Sequence, residues 1–245
     1  MNIDRVSEMS VSLNYYFKKL ERFPFPDYFD GISEACEILS KSGAYLKKLL
    51  TEPGICENNG ELRGAPPTLY GNYYIGEGTV IYNGVTVIGP VYIGENCEIM
   101  PGAVIRPNTV ISDGCFVGHG SEVKHCVMFG GAKVASLAFV GDSVLGVSSR
   151  VGSGVITANR KFDQTNASIK LSGIKKDLGT DYFGCILGDS SRLGANSVTQ
   201  PGAHIGPYSR IFPLTCVRGF IPECTAVYNK NETVFEKIEI TELKP

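Results

Sequence analysis

The 245-residue chain has no tryptophan and no excess charge of either sign, with 23 Lys and Arg against 25 Asp and Glu and a formal net charge of -2. Without a basic field it has no general means of holding a phosphate polymer, so nucleic acid is not an expected partner. No run of about 18 apolar residues is present, and residues 1–10 lack the apolar core of a secretory signal. A cytoplasmic protein with no membrane partner is therefore expected. Eight cysteines include no C-x-x-C pair, so neither a zinc site nor a redox dithiol is signalled and reduced thiols are expected. What the chain does hold in excess is glycine, 29 residues, which with 13 prolines implies many tight turns.

Those turns recur. Stepping by six from Ile75 gives Ile81, Val87, Ile93, Ile99, Ile105, Ile111, Val117, Val123, Phe129 and Ala135, with no polar residue among them. The frame slips and resumes as Phe139, Leu145 and Val151, then returns as Leu187, Leu193, Thr199, Ile205, Ile211 and Val217. Four places after many anchors the residue is small, as at Thr79, Cys97, Cys115, Ser121, Ser191 and Ser209. Pro101-Gly102, Pro107-Asn108 and Pro201-Gly202 follow other anchors, and a type II turn needs φ > 0 at the second of these. A strand this short, followed by a turn every six residues, buries its anchors only by winding into a stacked coil. Three hexads make one triangular coil of 18 residues, so the fold class is all-β, a parallel β-helix.

Three segments fall outside the period. Residues 1–70 carry no hexads, and Ile32, Ala35, Cys36, Leu39, Tyr45, Leu46 and Leu49 recur at helical spacing, so a small N-terminal helical cap is expected there. The coil is assigned to 71–225, with an extruded loop at about 157–184 that carries Arg160, Lys161, Lys170, Lys175 and Lys176. The tail, 226–245, alternates apolar and charged residues around Val234, Ile238 and Ile240, as an edge strand closing the coil would.

The hexads resemble those of the left-handed β-helix acyltransferases. Within that family the chain is most similar to the C-terminal acetyltransferase half of the sugar-1-phosphate nucleotidyltransferases, the type joining N-acetylglucosamine-1-phosphate uridyltransferase to glucosamine-1-phosphate N-acetyltransferase. The matching segments are I-R-P at 105–107, V-G-H-G-S-E-V-K at 117–124, V-G-D-S-V-L-G at 140–146, G-S-G-V-I-T-A-N-R at 152–160 and G-C-I-L-G-D at 184–189. No glycine-rich nucleotide loop of the uridylyl-transferring half precedes the coil, so uridylyl transfer is not expected. The resemblance implies left-handed winding, a homotrimer with sites between subunits, acetyl-CoA as acyl donor, no metal, and an amino sugar 1-phosphate or sugar nucleotide as acceptor in UDP-N-acetylglucosamine biosynthesis.

Residue by residue, the resemblance assigns the sugar phosphate to Arg106 and Lys124 and the sugar to Asn159, with Glu122 and Arg160 beside them. Fixed cations suit a phosphate dianion, and a guanidinium grips it twice. Since Ile105 and Val123 are 18 residues apart, Arg106 and Lys124 should stack on consecutive coils, with Glu122 free to pair with Lys124. For the donor, Arg218 falls at the family's basic place near the last coil, and Arg192 and Arg210 form a second candidate phosphate pair or a solvated edge. The family's general base is a histidine, but Ser136 stands at that place and Phe139 replaces a tyrosine. A serine hydroxyl accepts no proton near neutral pH without a base of its own. His119 and His125 are the candidate substitutes, and the alternative is a sugar-phosphate-binding or regulatory trimer that has lost turnover.

Overall fold

In a computed structural model, which describes residues 12–51, 57–171 and 174–230, the chain winds into a triangular prism of parallel strands. Two faces have nine strands, the third has eight, and a separate two-stranded hairpin stands apart. The expected all-β parallel β-helix of hexapeptide repeats is the fold that forms. Each coil visits the first face, as at Thr109–Ile111, then the second, Phe116–Val117, then the third, Glu122–Lys124.

The anchors stack in register down each inner wall. Ile75, Ile93, Ile111, Met128, Leu145 and Leu187 pair successively on the first face. Ile81, Ile99, Val117, Val134, Val151 and Leu193 do so on the second, and Val87, Ile105, Val123, Val140 and Thr157 on the third. Nearly all are fully buried, each aliphatic side chain contributing roughly 1.5–3 kcal/mol before chain entropy. The small column at the corners is polar for a reason. Thr79, Ser121, Ser191 and Ser209 each donate a hydroxyl hydrogen bond of 2.6–2.7 Å to a backbone carbonyl of the next coil, tying coil to coil inside an apolar core.

The structure corrects the frame. Val123 is followed on the core wall by Met128, not Phe129, and the next anchors are Val134 and Val140, not Ala135 and Phe139. One residue is missing from the corner after Val123, and another from the corner after Val140, where Leu145 follows five places on. His125, with φ 49°, and Asp142, with φ 47°, make these shortened turns, above Asn108 at φ 63° in the full-length corner below. Asn, Asp and His are the non-glycine residues most tolerant of that backbone region.

The coil also starts before residue 71. Glu57–Asn58, Glu61–Arg63 and Thr68–Tyr70 pair in parallel with the next coil, where Leu62 and Leu69 stand in register with Ile81 and Val87 while polar Asn58 stands in register with Ile75. At the far end Ala226–Val227 still pairs with Arg210–Ile211, one strand past the assigned limit of 225. The expected edge strand around Val234, Ile238 and Ile240 lies outside the described residues.

The N-terminal segment lies along the first face instead of across the end of the coil. Its helix, Glu37–Leu49, together with Leu13, Tyr16, Phe17 and Phe23, packs on Val110, Val127, Phe129, Val144 and Ile186, the outward side chains of that face. Phe17 stacks on Phe129 with ring centroids 4.7 Å apart. Phe129 is thus a buried residue of the cap interface, which explains why it passed for a core anchor. The extruded loop contains the antiparallel hairpin Ser168–Leu171 with Ile174–Asp177, and it leans on the cap through an ion pair of Lys176 with Glu34. No helix of the described residues is long and apolar enough to cross a membrane.

Candidate functional site

The shortened corners between the third and first faces concentrate the chemistry. Ile105 pairs with Val123 and Val123 with Val140, so Arg106, Lys124 and Gly141 follow their anchors at equivalent places in three consecutive coils. Arg106 and Lys124 line one open cavity of about 380 Å³ together with Pro107, Asn108, His125, Asp142, Thr180 and Tyr182. A narrower cavity of about 190 Å³ adjoins it, sharing His125, Thr180 and Tyr182 and walled by Leu39 and Ser40 of the cap helix.

Asp142 organises this corner. Its side chain is 2% exposed and accepts from Lys124 Nζ at 3.1 Å, His125 Nδ1 at 2.7 Å and Asn159 Nδ2 at 2.5 Å. Burial by itself would push the Asp142 carboxyl up, but hydrogen bonds from His125 and Asn159 and the charge of Lys124 hold it below the usual carboxylate range. Asp142 is therefore a buried anion serving three donors. Sequence reasoning quoted it only as part of a motif. Its signal, a lone Asp after Gly at a slipped frame, is legible once the slip is placed.

His125 is bound on both sides. Nδ1 faces the Asp142 carboxylate and Nε2 lies 3.1 Å from the carbonyl oxygen of Leu39 in the cap helix. Both partners are acceptors, so both contacts are hydrogen bonds only when the ring carries two protons. Held between these two acceptors, His125 adds an imidazole ring to the pocket of Arg106 and Lys124. Its Nε2 is engaged by the cap, not aimed at an acceptor.

Arg106 pairs with Glu122 at 2.7 Å, so the expected pairing of Glu122 with Lys124 does not form. Glu122 is in direct register with Val104 on the coil below, and Arg106, two places after Val104, is its diagonal neighbour. Arg160 stands at the base of the loop, 3.7 Å from Asp181. Tyr182, which the sequence did not signal, lies under two cations, with Lys124 Nζ 4.6 Å and Arg160 Cζ 4.9 Å from its ring centroid. The loop thus returns an aromatic platform to the corner.

The remaining candidates lie elsewhere. Ser136 and His119 occupy the corner between the second and third faces, where Leu137 N donates to His119 O and His119 Nδ1 lies 2.8 Å from Pro101 O. They therefore stand at a different corner of the prism from Arg106 and Lys124. Arg218 follows the third-face anchor Val217 in the last coil and is exposed, on the same corner line as Arg106. Arg192 and Arg210 are direct register partners on the second face. Among the described residues no three His, Cys, Asp or Glu converge as a metal site would require, and Cys36, Cys97, Cys115, Cys126, Cys185, Cys216 and Cys224 are free thiols.

Residues 87–211 match the family described as "GMPPB C-terminal domain". The chain is 38% identical over 220 residues to a "Bifunctional protein GlmU" of Methanococcus maripaludis, covering 89% of this chain and 52% of that protein. It is 36% identical over 97 residues to a "Bifunctional sugar-1-phosphate nucleotidylyltransferase/acetyltransferase" of Sulfurisphaera tokodaii, covering 40% of this chain and 24% of that one. The chain therefore spans about half the length, or less, of these curated relatives. Among solved structures, the acetyltransferase domain of PglB from Neisseria gonorrhoeae in complex with acetyl coenzyme A aligns with TM-score 0.38 and 16% identity, over 61% of this chain and 54% of that one.

Proposed function

The chain belongs to the GMPPB C-terminal domain family of hexapeptide-repeat proteins, and on that premise we propose that it is an acyltransferase-like protein whose corner pocket holds an amino sugar 1-phosphate or a sugar nucleotide for acetylation by acetyl-CoA. The observation that carries this reading is the convergence of Lys124, His125 and Asn159 on the buried Asp142, with Lys124 one coil above Arg106. A phosphate entering the cavity would compete with Glu122 and Asp142 for Arg106 and Lys124 and gain charge-assisted hydrogen bonds. Asn159 and the Tyr182 ring would meet the sugar. The printed name of one curated relative, a bifunctional sugar-1-phosphate nucleotidylyltransferase/acetyltransferase, supports the same substrate class.

Acetyl transfer needs the acceptor amine to lose a proton as it attacks the thioester carbonyl and the coenzyme A thiolate leaves. Ser136 shares its corner with His119, and His125 reaches an acceptor amine only by turning Nε2 from the Leu39 carbonyl. The outward column of the third face runs Val104, Glu122, Phe139, Ile156 and Val198, apolar but for Glu122, and lies between the two corners. Ile156 is 40% exposed. A homotrimer closing on this face would bring the His119 and Ser136 corner of one subunit toward the Arg106 and Lys124 corner of the next. Arg218, Arg192 and Arg210 remain the donor-side cations.

The engaged Nε2 of His125 favours a second reading, in which the pocket binds the sugar phosphate without turnover. One pair of measurements separates the two. Thiol release from acetyl-CoA with glucosamine 1-phosphate, lost in Lys124→Ala, supports the enzyme. Thermal stabilisation by the sugar phosphate with no thiol release, and activity appearing in Ser136→His, supports the binding protein. Neither stabilisation nor release, with Lys124→Ala indistinguishable from the parent, removes both.

A further inference from the structure

The corner groove continues below the pocket of Arg106 and Lys124. A further cavity of about 340 Å³ is lined by Gly43, Lys47, Asn72, Gly89, Pro90 and Asn108. Asn108 also lines the upper cavity, so its side chain marks the boundary between the two. Tyr74, Tyr92, Val110, Val127 and Val144 are successive register partners. The residues two places before them, Asn72, Pro90, Asn108, His125 and Asp142, therefore form one corner column, roughly 19 Å long at a strand separation of about 4.8 Å.

The cap helix runs alongside this column. The Leu39 carbonyl meets His125, Gly43 lies against Asn108, and the Leu50 carbonyl accepts from Asn72 Nδ2 at 3.3 Å. A helix rises about 1.5 Å per residue, so the step from Leu39 to Gly43 keeps pace with one coil and the step from Gly43 to Leu50 with two. Glycine is unfavourable in mid-helix, but a Cβ at Gly43 would stand only 3.1 Å from Asn108 Oδ1. The Asn108 amide has no hydrogen-bond partner among the described residues, and Lys47 has no ion-pair partner among them. Tyr70, 61% exposed, pairs in register with Ile88, which follows Val87 as Arg106 follows Ile105, so an exposed aromatic stands two coils below Arg106.

From this arrangement we infer that the acceptor is a nucleoside diphosphate sugar, with its sugar-side phosphate at Arg106 and Lys124 and its nucleoside in the lower cavity beside the cap helix. The inference rests on the function proposed above for the upper corner. A lone sugar phosphate would fill the upper cavity and leave Asn108 and Lys47 idle. With a nucleoside diphosphate, Lys47 supplies a cation on the far side of Asn108 for the second phosphate. The Asn108 amide both donates and accepts, as a base edge or a ribose hydroxyl requires, and Tyr70 offers a ring on which a base can stack. A lipid-linked diphosphate would need an aliphatic wall, and no Leu, Ile, Val or Phe lines the lower cavity among the described residues.

Titration calorimetry of the full chain is expected to show binding of at least one of UDP, GDP, CDP and dTDP, displaced by glucosamine 1-phosphate because both need the upper corner. Asn108→Gly keeps the left-handed backbone at φ 63° and removes the amide, and Lys47→Ala alters an exposed helical position, so melts close to the parent's confirm that both fold. Each variant should weaken the nucleoside diphosphate about 3- to 10-fold and leave glucosamine 1-phosphate within about 2-fold, the size of one lost hydrogen bond or exposed charge contact. Lys124→Ala should weaken both ligands. The inference is overturned, with the upper corner's role intact, if glucosamine 1-phosphate binds and no nucleoside diphosphate does, if the two bind together, or if Asn108→Gly and Lys47→Ala fail to single out the nucleotide. Preference for ADP, displaced by coenzyme A, also overturns it, because the occupant would then be the acyl donor. If neither class of ligand binds, or Lys124→Ala binds both like the parent, the role of the upper corner has failed and this inference falls with it.

Discussion

His125 Nδ1 lies 2.7 Å from Asp142 Oδ1, and both residues sit at corners from which one residue of the hexad is missing. Each takes a left-handed backbone conformation, φ 49° and φ 47°, as Asn108 does in the full-length corner below, and at these two corners the side chains meet each other.

Removing the carboxylate should therefore cost more than removing a surface ion pair. Asp142→Ala leaves Lys124, His125 and Asn159 without their shared acceptor, and a loss of about 2–4 kcal/mol is expected in denaturant melts. Glu122→Ala breaks only the partly exposed pair with Arg106, and the same melts should shift by under about 1 kcal/mol.

Acid should weaken the fold through His204. This residue is fully buried, stacked against Phe183 at 5.8 Å, and burial depresses its imidazole to about 4. The unfolded chain, with its imidazole near 6.5, takes up the proton first, so the stability contributed by neutral His204 is complete above pH ~6.5 and drains away as pH falls toward 4. Melts from pH 7 to 4 should steepen in loss across that window, and His204→Phe should flatten the curve there. An unchanged curve in the variant would place the acid sensitivity elsewhere.

Tyr182 should matter for ligand and little for fold. Its ring lies 4.6 Å from Lys124 Nζ and is 37% exposed. Tyr182→Leu should keep the melting temperature within a few degrees while weakening sugar-phosphate binding about 2- to 5-fold by titration calorimetry, the size of a cation–π contact at a partly exposed site.

The cap should hang on its aromatic stack. Phe129 is 1% exposed and packs against Phe17, Phe23 and Phe29. Phe129→Ala is expected to cost about 3–5 kcal/mol. Limited proteolysis should then cut first within residues 12–51, leaving the coil intact.

The coil was legible because its anchors are repeated and one-sided, and the stacking of Arg106 with Lys124 followed from spacing alone. Asp142 and Tyr182 were not legible in the same way. The first depends on a frame slip that apolar Phe129, buried under the cap, and Ala135 and Phe139, outside it, disguised. The second reaches the corner through a hairpin whose return depends on tertiary contacts, such as Phe183 N donating to Asn159 O at 2.8 Å. The first coil escaped notice because Glu57–Asn58, Glu61–Arg63 and Thr68–Tyr70 borrow their order from the coil above.

In a tube whose windings touch only their immediate neighbours, the loss of a residue from one bend travels no further than the next winding. Leu145, Val151 and Thr157 keep their register on Leu187, Leu193 and Thr199 above both abbreviated bends. The seam that carries Asn108, His125 and Asp142 can accordingly be trimmed or lengthened by single residues to re-aim its side chains, while the walls on either side go on stacking undisturbed.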